Sequence, residues 1–233
     1  MTNTKWFKAA LPALASPLVL LSLAGSASAN AATEANATAE FCSSLVQIEQ
    51  TLSSSIPLMF LPPEVATEVS GYQLSVVEPL FAQARETAPA DIADAIDTYA
   101  TATLQMLSML DFSATQTMEV AMADNAIDDK LLADCGFQAM PVTATNYEYL
   151  DVPEVMSAGE VSLTLTNVGD EVHEISIARI NDDVQMSARD VLMLGEVDAM
   201  EAITLEAYAI VAPNDAETAF MNLRPGRYYA VCF

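Results

Sequence analysis

The chain has 233 residues, with 32 Asp and Glu, eight Lys and Arg and one His, giving a formal charge of −24. Such a surface repels phosphate backbones and anionic lipid at long range, which disfavours nucleic acid and membrane surfaces as partners. The sequence holds no Gly-rich phosphate loop, no Cys-x-x-Cys, no His-x-x-x-His pair and no motif that marks a Ser-His-Asp triad, so enzyme catalysis by side chains is not expected.

The first 29 residues read as a removable export signal. Lys5 and Lys8 form a positive start, Ala9 to Leu23 is apolar, and Ala27-Ser28-Ala29 offers a small-x-small cleavage site. Pro12 and Pro17 interrupt the run, which is short of the roughly 20 apolar residues a spanning helix needs. Leu23-Ala24-Gly25-Ser26 resembles a lipoprotein processing site with Ser26 where the lipidated Cys would stand, so a soluble periplasmic, cell-envelope or secreted product is expected. All 32 acidic residues and six of the eight basic ones follow residue 29, a net −26 in which Lys130 is the only lysine. The simplest origin of this charge is solubility in salty surroundings, where screening shortens self-repulsion to ~8 Å or less.

From about residue 40 to 136 the pattern is helical. Phe41, Leu45, Ile48 and Leu52 recur at three- and four-residue steps, and Pro62-Pro63 separates them from Tyr72, Val76, Val77, Leu80, Phe81 and Ala84. Pro79 is expected to kink or restart that second helix. Asp91 to Leu110 carries an amphipathic face, and a last helix from about Ala114 to Cys135 should stop at Gly136. These segments predict a small bundle of three or four antiparallel helices over residues 30–140. Export permits disulfides, and of the three cysteines Cys42 and Cys135 bracket this half, so a Cys42–Cys135 bridge leaves Cys232 over. Met106, Met109, Met118 and Met122 share helix faces at i,i+3 and i,i+4 spacing. Core packing accounts for them, and a thioether site for Cu(I) is the alternative.

Helical spacing ends at Met140-Pro141, and the second domain, 141–233, reads as strands. Val142 to Tyr149 is strand-like, Val161, Leu163 and Leu165 alternate with polar residues, and His173, Ile175 and Ile177 alternate again. A short helix is expected over Ser187 to Leu194, and further strands over Ala207 to Ala212 and Tyr228 to Phe233. The fold class predicted is α+β in two domains, an N-terminal helical bundle and a C-terminal antiparallel β-sandwich.

His173 and Cys232 are the candidate functional residues. His173 follows the turn Asn167-Val-Gly169-Asp and opens a strand, while Cys232 closes the strand launched by Pro225-Gly226. Two motifs, Asn167-Val-Gly169-Asp-Glu-Val-His173 and Gly226-Arg-Tyr228-Tyr-Ala-Val-Cys232, resemble those of the cupredoxin (blue copper, plastocyanin-like) family over residues 142–233. The helical half is similar to the N-terminal region of exported actinobacterial proteins that carry such domains. The resemblance implies that His173 and Cys232 are equatorial ligands to one type 1 copper ion. It implies electron transfer with a redox protein partner, and a second His and an axial Met after the Cys. Neither of those follows Cys232 here, and the chain stops inside an apolar strand without a polar tail, so a reading frame continuing past Phe233 is expected. The other readings are a metal-free interaction module at the cell surface, a Cu(I) carrier, and an oxidoreductase with a further catalytic copper, the last disfavoured by the lack of histidines.

Overall fold

The computed structural model describes residues 5–10, 27–54, 58 and 61–231. The protein is α+β and has two compact units, one of helices up to Gly136 and one of strands from Phe137 onward that also takes in an N-terminal strand. Among the described residues no helix is long and apolar enough to cross a membrane.

The helical unit contains α1 (Ala27–Ser53), α2 (Pro63–Thr87), α3 (Ala93–Met109) and α4 (Met118–Asp134). Pro63 stands at the start of α2, where its missing N–H has no intrahelical role. The helix runs through Pro79 without a break. A short 3₁₀ turn, Phe112–Thr115, separates α3 from α4, and Thr117 caps α4 by accepting the Val120 N–H at 3.2 Å. That cap replaces the continuous helix expected from Ala114. Gly136, with φ of +67°, ends the segment in the left-handed region. Many of the periodic apolar residues are buried, Phe41, Leu45 and Ile48 on α1, Val77 and Phe81 on α2 and Ile96 on α3, joined by Leu107 on α3 and by Ile127 and Leu131 on α4, whereas Tyr72, counted on the apolar face of α2, is exposed.

Helix α3 lies against both α2 and α4. Phe81 and Tyr99 meet edge to face at 5.9 Å, and the buried Ser70 hydroxyl donates to the Leu107 carbonyl. Cys42 and Cys135 form a disulfide that ties α1 to the end of α4, and closing a loop with a sequence separation of 93 is worth about 4–5 kcal/mol in the chain-entropy model. The methionines do not follow the core reading: Met109, Met118 and Met122 are exposed.

Acidic groups gather around Tyr99, whose hydroxyl donates to Glu49 at 3.3 Å. Burial, then the charges of Glu49, Asp124 and Asp128, hold its pKa well above that of a free tyrosine. Burial also pushes the Asp124 carboxyl up from 3.8 to about 6. A carboxyl with a raised folded pKa takes up a proton on folding, so its contribution worsens as pH rises from about 4 to 6. Asp124→Asn is therefore expected to raise the thermal midpoint at neutral pH, with the gain shrinking to nothing by about pH 4. Paired melting curves across that range check it, and a pH-independent difference would contradict it.

The strand unit has two sheets. In the first the order is β4 (Val155–Ser157), β1 (Lys5–Ala10), β9 (Gly226–Val231), β6 (His173–Ile180) and β7 (Ile203–Val211). In the second it is β3 (Glu148–Leu150), β2 (Gln138–Thr145), β5 (Gly159–Asn167) and β8 (Ala216–Leu223). Two short helices, α5 (Ala188–Leu192) and α6 (Glu196–Glu201), join β6 to β7. One buried cluster draws Val161, Leu163, Leu165, Met140 and Met221 from the second sheet and Ile175, Ile177, Ala209, Val211 and Tyr228 from the first.

The pairing is not wholly antiparallel, as the sequence reading had it. β2 and β5 run parallel, Gln138 opposite Val161 through Ala144 opposite Asn167, and β1 runs parallel to β4. The chain folds back through β3 and crosses to the other sheet at β4 before β5 returns, so β5 starts in the direction of β2. The boundary also moves. β2 begins at Gln138 and carries Pro141 inside it, three residues before the end of its pairing with β5. The β2–β3 pairing reaches only Thr143 to Thr145, so at Pro141 the far edge of β2 carries no β3 partner and a missing N–H is tolerated there.

Strand β1 lies within the stretch read as an export leader, and its backbone sits between β9 and β4, Lys5 opposite Ala230 and Lys8 opposite Val155. Removing residues 1–29 leaves one ladder of β9 without its partner. Hydrogen exchange of the Gly226–Val231 amides should then be faster than in the whole chain, as expected of an unpaired sheet edge. Equal protection in both proteins would show that β1 does not hold that edge.

Candidate metal centre

His173 opens β6, opposite Val211 on β7, at the end of the loop that leaves β5 at Asn167. The loop is short, and its geometry is set by one side chain. Asn167 is fully buried. Its Nδ2 donates to the Glu171 carbonyl at 2.7 Å and to the Val211 carbonyl at 3.2 Å, while its Oδ1 accepts the Gly169 N–H at 2.8 Å. The Asn167 backbone is held as well, its N–H donating to Asp215 at 2.9 Å and its carbonyl accepting from Asn214 at 3.0 Å. Both amide protons of the side chain are used, as a buried carboxamide requires.

A second asparagine holds the loop from the outside. Asn146, in the turn between β2 and β3, donates to the Asp170 carboxylate and accepts the Asp170 N–H at 3.2 Å, and the Val168 N–H bonds the Ala144 carbonyl at 2.9 Å. Gly169 is enclosed between these groups. A Cβ there would come within 2.5 Å of Asn146 Oδ1, 2.8 Å of His173 Nε2 and 3.2 Å of Asn167 Oδ1. His173 Nε2 is buried with no hydrogen-bond partner, one of two such side-chain atoms among the described residues. Next along β6, Glu174 is fixed by Tyr149, whose hydroxyl donates to its carbonyl, and by Tyr208, whose hydroxyl donates to its carboxylate at 3.0 Å.

The second motif runs along β9, the neighbour of β6. Gly226 passes over the buried Arg179, and a Cβ at that position would stand 2.8 Å from Arg179 Nε. The Arg179 guanidinium donates to Asp182 at 2.5 Å and to the Pro225 carbonyl at 3.2 Å. Tyr228 is buried, and its hydroxyl donates back to the Arg224 carbonyl at 2.7 Å, latching the turn before the strand. Burial, reinforced by Glu206, pushes the Tyr228 hydroxyl up to about 12, so it stays a proton donor throughout the physiological range.

Cys232 lies outside the described residues, so the two candidate ligands are not brought together by direct observation. Its neighbour Val231 is described and pairs with Ser176, three residues along β6 from His173. Among the described residues no group of three or more His, Cys, Asp and Glu side chains is placed to hold a metal ion. Comparison with protein-family models, with curated proteins and with solved structures finds no match.

The sequence reading took Asn167 and Gly169 as a turn. Their part as a buried clamp depends on Val211 and Asp215, more than 40 residues later. Gly169→Ala is expected to lower stability by about 1–3 kcal/mol, because Asn146 and Asn167, both pinned by hydrogen bonds, and the buried edge of the His173 ring must give way. Gly71→Ala, in a helix with nothing within 4 Å of the added Cβ, should be neutral or stabilise by up to about 1 kcal/mol. Denaturant unfolding of both variants checks the contrast, and a Gly169→Ala protein as stable as the parent would contradict it.

Proposed function

We propose that the strand unit is a cupredoxin-like β-sandwich of an exported protein, and that it binds one copper ion for electron transfer with His173 and Cys232 among the ligands. The observation that carries the reading is the adjacency of β6 and β9. Cys232 follows Val231, whose partner Ser176 is three residues from His173. One Cα step of about 3.8 Å past Val231, about 5 Å across the ladder and about 10 Å along β6 together set an upper bound on the separation of the two positions.

The donor set suits the ion in part. His173 has Nε2 buried against Gly169, which leaves Nδ1 as the ring nitrogen able to take a ligand. Cys42 and Cys135 are used in a disulfide, which leaves Cys232 as the thiol. Imidazole and thiolate are the donors that suit copper in both oxidation states, and bound copper supplies a one-electron couple. With one histidine in the sequence, the second imidazole that the resemblance implies has no counterpart among these residues. The protein's own contribution is to hold the His173 ring on a strand end and to exclude water from its Nε2 side. The acidic surface favours a cationic redox partner, through attraction that weakens as salt rises.

A second reading is a metal-free interaction module of the same fold. Asn167, Gly169, Gly226 and Tyr228 all have structural roles that need no metal. The two readings separate by colour. Protein expressed to its native stop codon and given Cu(II) should show the intense thiolate-to-copper band of a blue site. Cys232→Ser should abolish the band, and His173→Ala should weaken or reshape it. A colourless parent protein, or a band that survives Cys232→Ser, would remove the copper reading and leave the module.

A further inference from the structure

We infer that Asn167 is a positioning residue for His173, holding the imidazole by packing where other ligand histidines are held by a hydrogen bond; this deepens the copper reading above and rests on it. A metal-ligating His ordinarily donates its second ring N–H to a carboxylate or carbonyl, and that bond fixes the ring's rotation. Nε2 of His173 is buried and has no such partner. What stands against it is the backbone of Gly169, close enough that a Cβ there would be 2.8 Å away.

Two bonds from one buried amide control that environment. The Gly169 N–H is fixed to Asn167 Oδ1, so the wall beside Nε2 is held by Asn167. The Val211 carbonyl accepts from Asn167 Nδ2, and Val211 is the residue paired with His173 across the β6–β7 ladder. A third bond, to the Glu171 carbonyl, shapes the loop two residues before the ring. Asn167 therefore sets the strand position from which the imidazole projects and the surface against which it rests. Asn146 contacts the same loop but bonds only Asp170, on the exposed side.

His173 is the only histidine in the chain, so its imidazole gives one unambiguous set of NMR signals that needs no metal. In the metal-free parent protein, relaxation should report a single fixed ring rotamer. Asn167→Ala should move the ring signals by more than a line width and broaden them through rotamer exchange. Asn167→Asp, which keeps the acceptor for Gly169 but loses both donors, should fall between. Asn146→Ala should leave the ring signals in place. With Cu(II) on protein expressed to its native stop codon, Asn167→Ala should shift or weaken the blue band while Asn146→Ala should not.

The outcomes separate the two claims. Ring signals that move in a protein that never turns blue would retain the positioning role and discard the copper. A blue parent in which Asn167→Ala leaves both ring signals and band unchanged would overturn the positioning role and keep the copper. If Asn167→Ala does not fold, the parent's own relaxation decides, and an imidazole that samples several rotamers there overturns the inference.

Discussion

A side-chain amide shut away from water must find partners for two protons and an oxygen, and in this protein that requirement organises the end of the strand unit. Leaving even one such group unpaired costs about 1–3 kcal/mol. Asn167 meets it with Glu171, Val211 and Gly169, while its backbone engages Asn214 and Asp215. The loop after β5, the end of β7 and the turn before β8 are thereby fastened to one residue. Their relative placement fixes where β6 begins, and β6 begins with His173.

The two motifs then look like two solutions to close backbone approach. Gly169 lets the loop press on the His173 ring, and Gly226 lets β9 pass over the buried guanidinium of Arg179. Each glycine is enclosed by polar side-chain atoms at close range, which is why the absence of a side chain matters at both places. Tyr228 completes the second motif by bonding back to Arg224, with most of its ring in the core. A copper site built on these strands would take its rigidity from hydrogen bonds that exist without the ion.

The helices were legible because their burial follows a local period. Phe41, Leu45, Ile48, Ile96 and Leu131 sit where a 3.6-residue repeat puts them, and the buried set agrees. The strands were legible where alternation was strict, as in Val161–Leu165, and in the apolar runs at Ala207 and Tyr228, which fall on β7 and β9. β8 was missed because Ala216–Leu223 buries Ala219, Phe220 and Met221 in a row and has little β-branched content. Pro141 misled for a local reason, since a proline usually marks a break, yet an edge position accepts one. The parallel pairing of β2 with β5 depends on a path through both sheets, which no local pattern records. The candidate site was half legible. The residue types of His173 and Cys232 stood out, but the clamp beneath His173 joins positions 44 residues apart and has no sequence signature.

The central claim is that Cys232, the one cysteine outside the disulfide, is a metal thiolate paired with His173. Alkylation of that thiol, followed without oxygen in protein expressed to its native stop codon, tests it most directly. One equivalent of Cu(I) should protect Cys232 from the reagent, and His173→Ala should restore much of the labelling rate. Labelling that proceeds equally fast with and without copper would contradict the account.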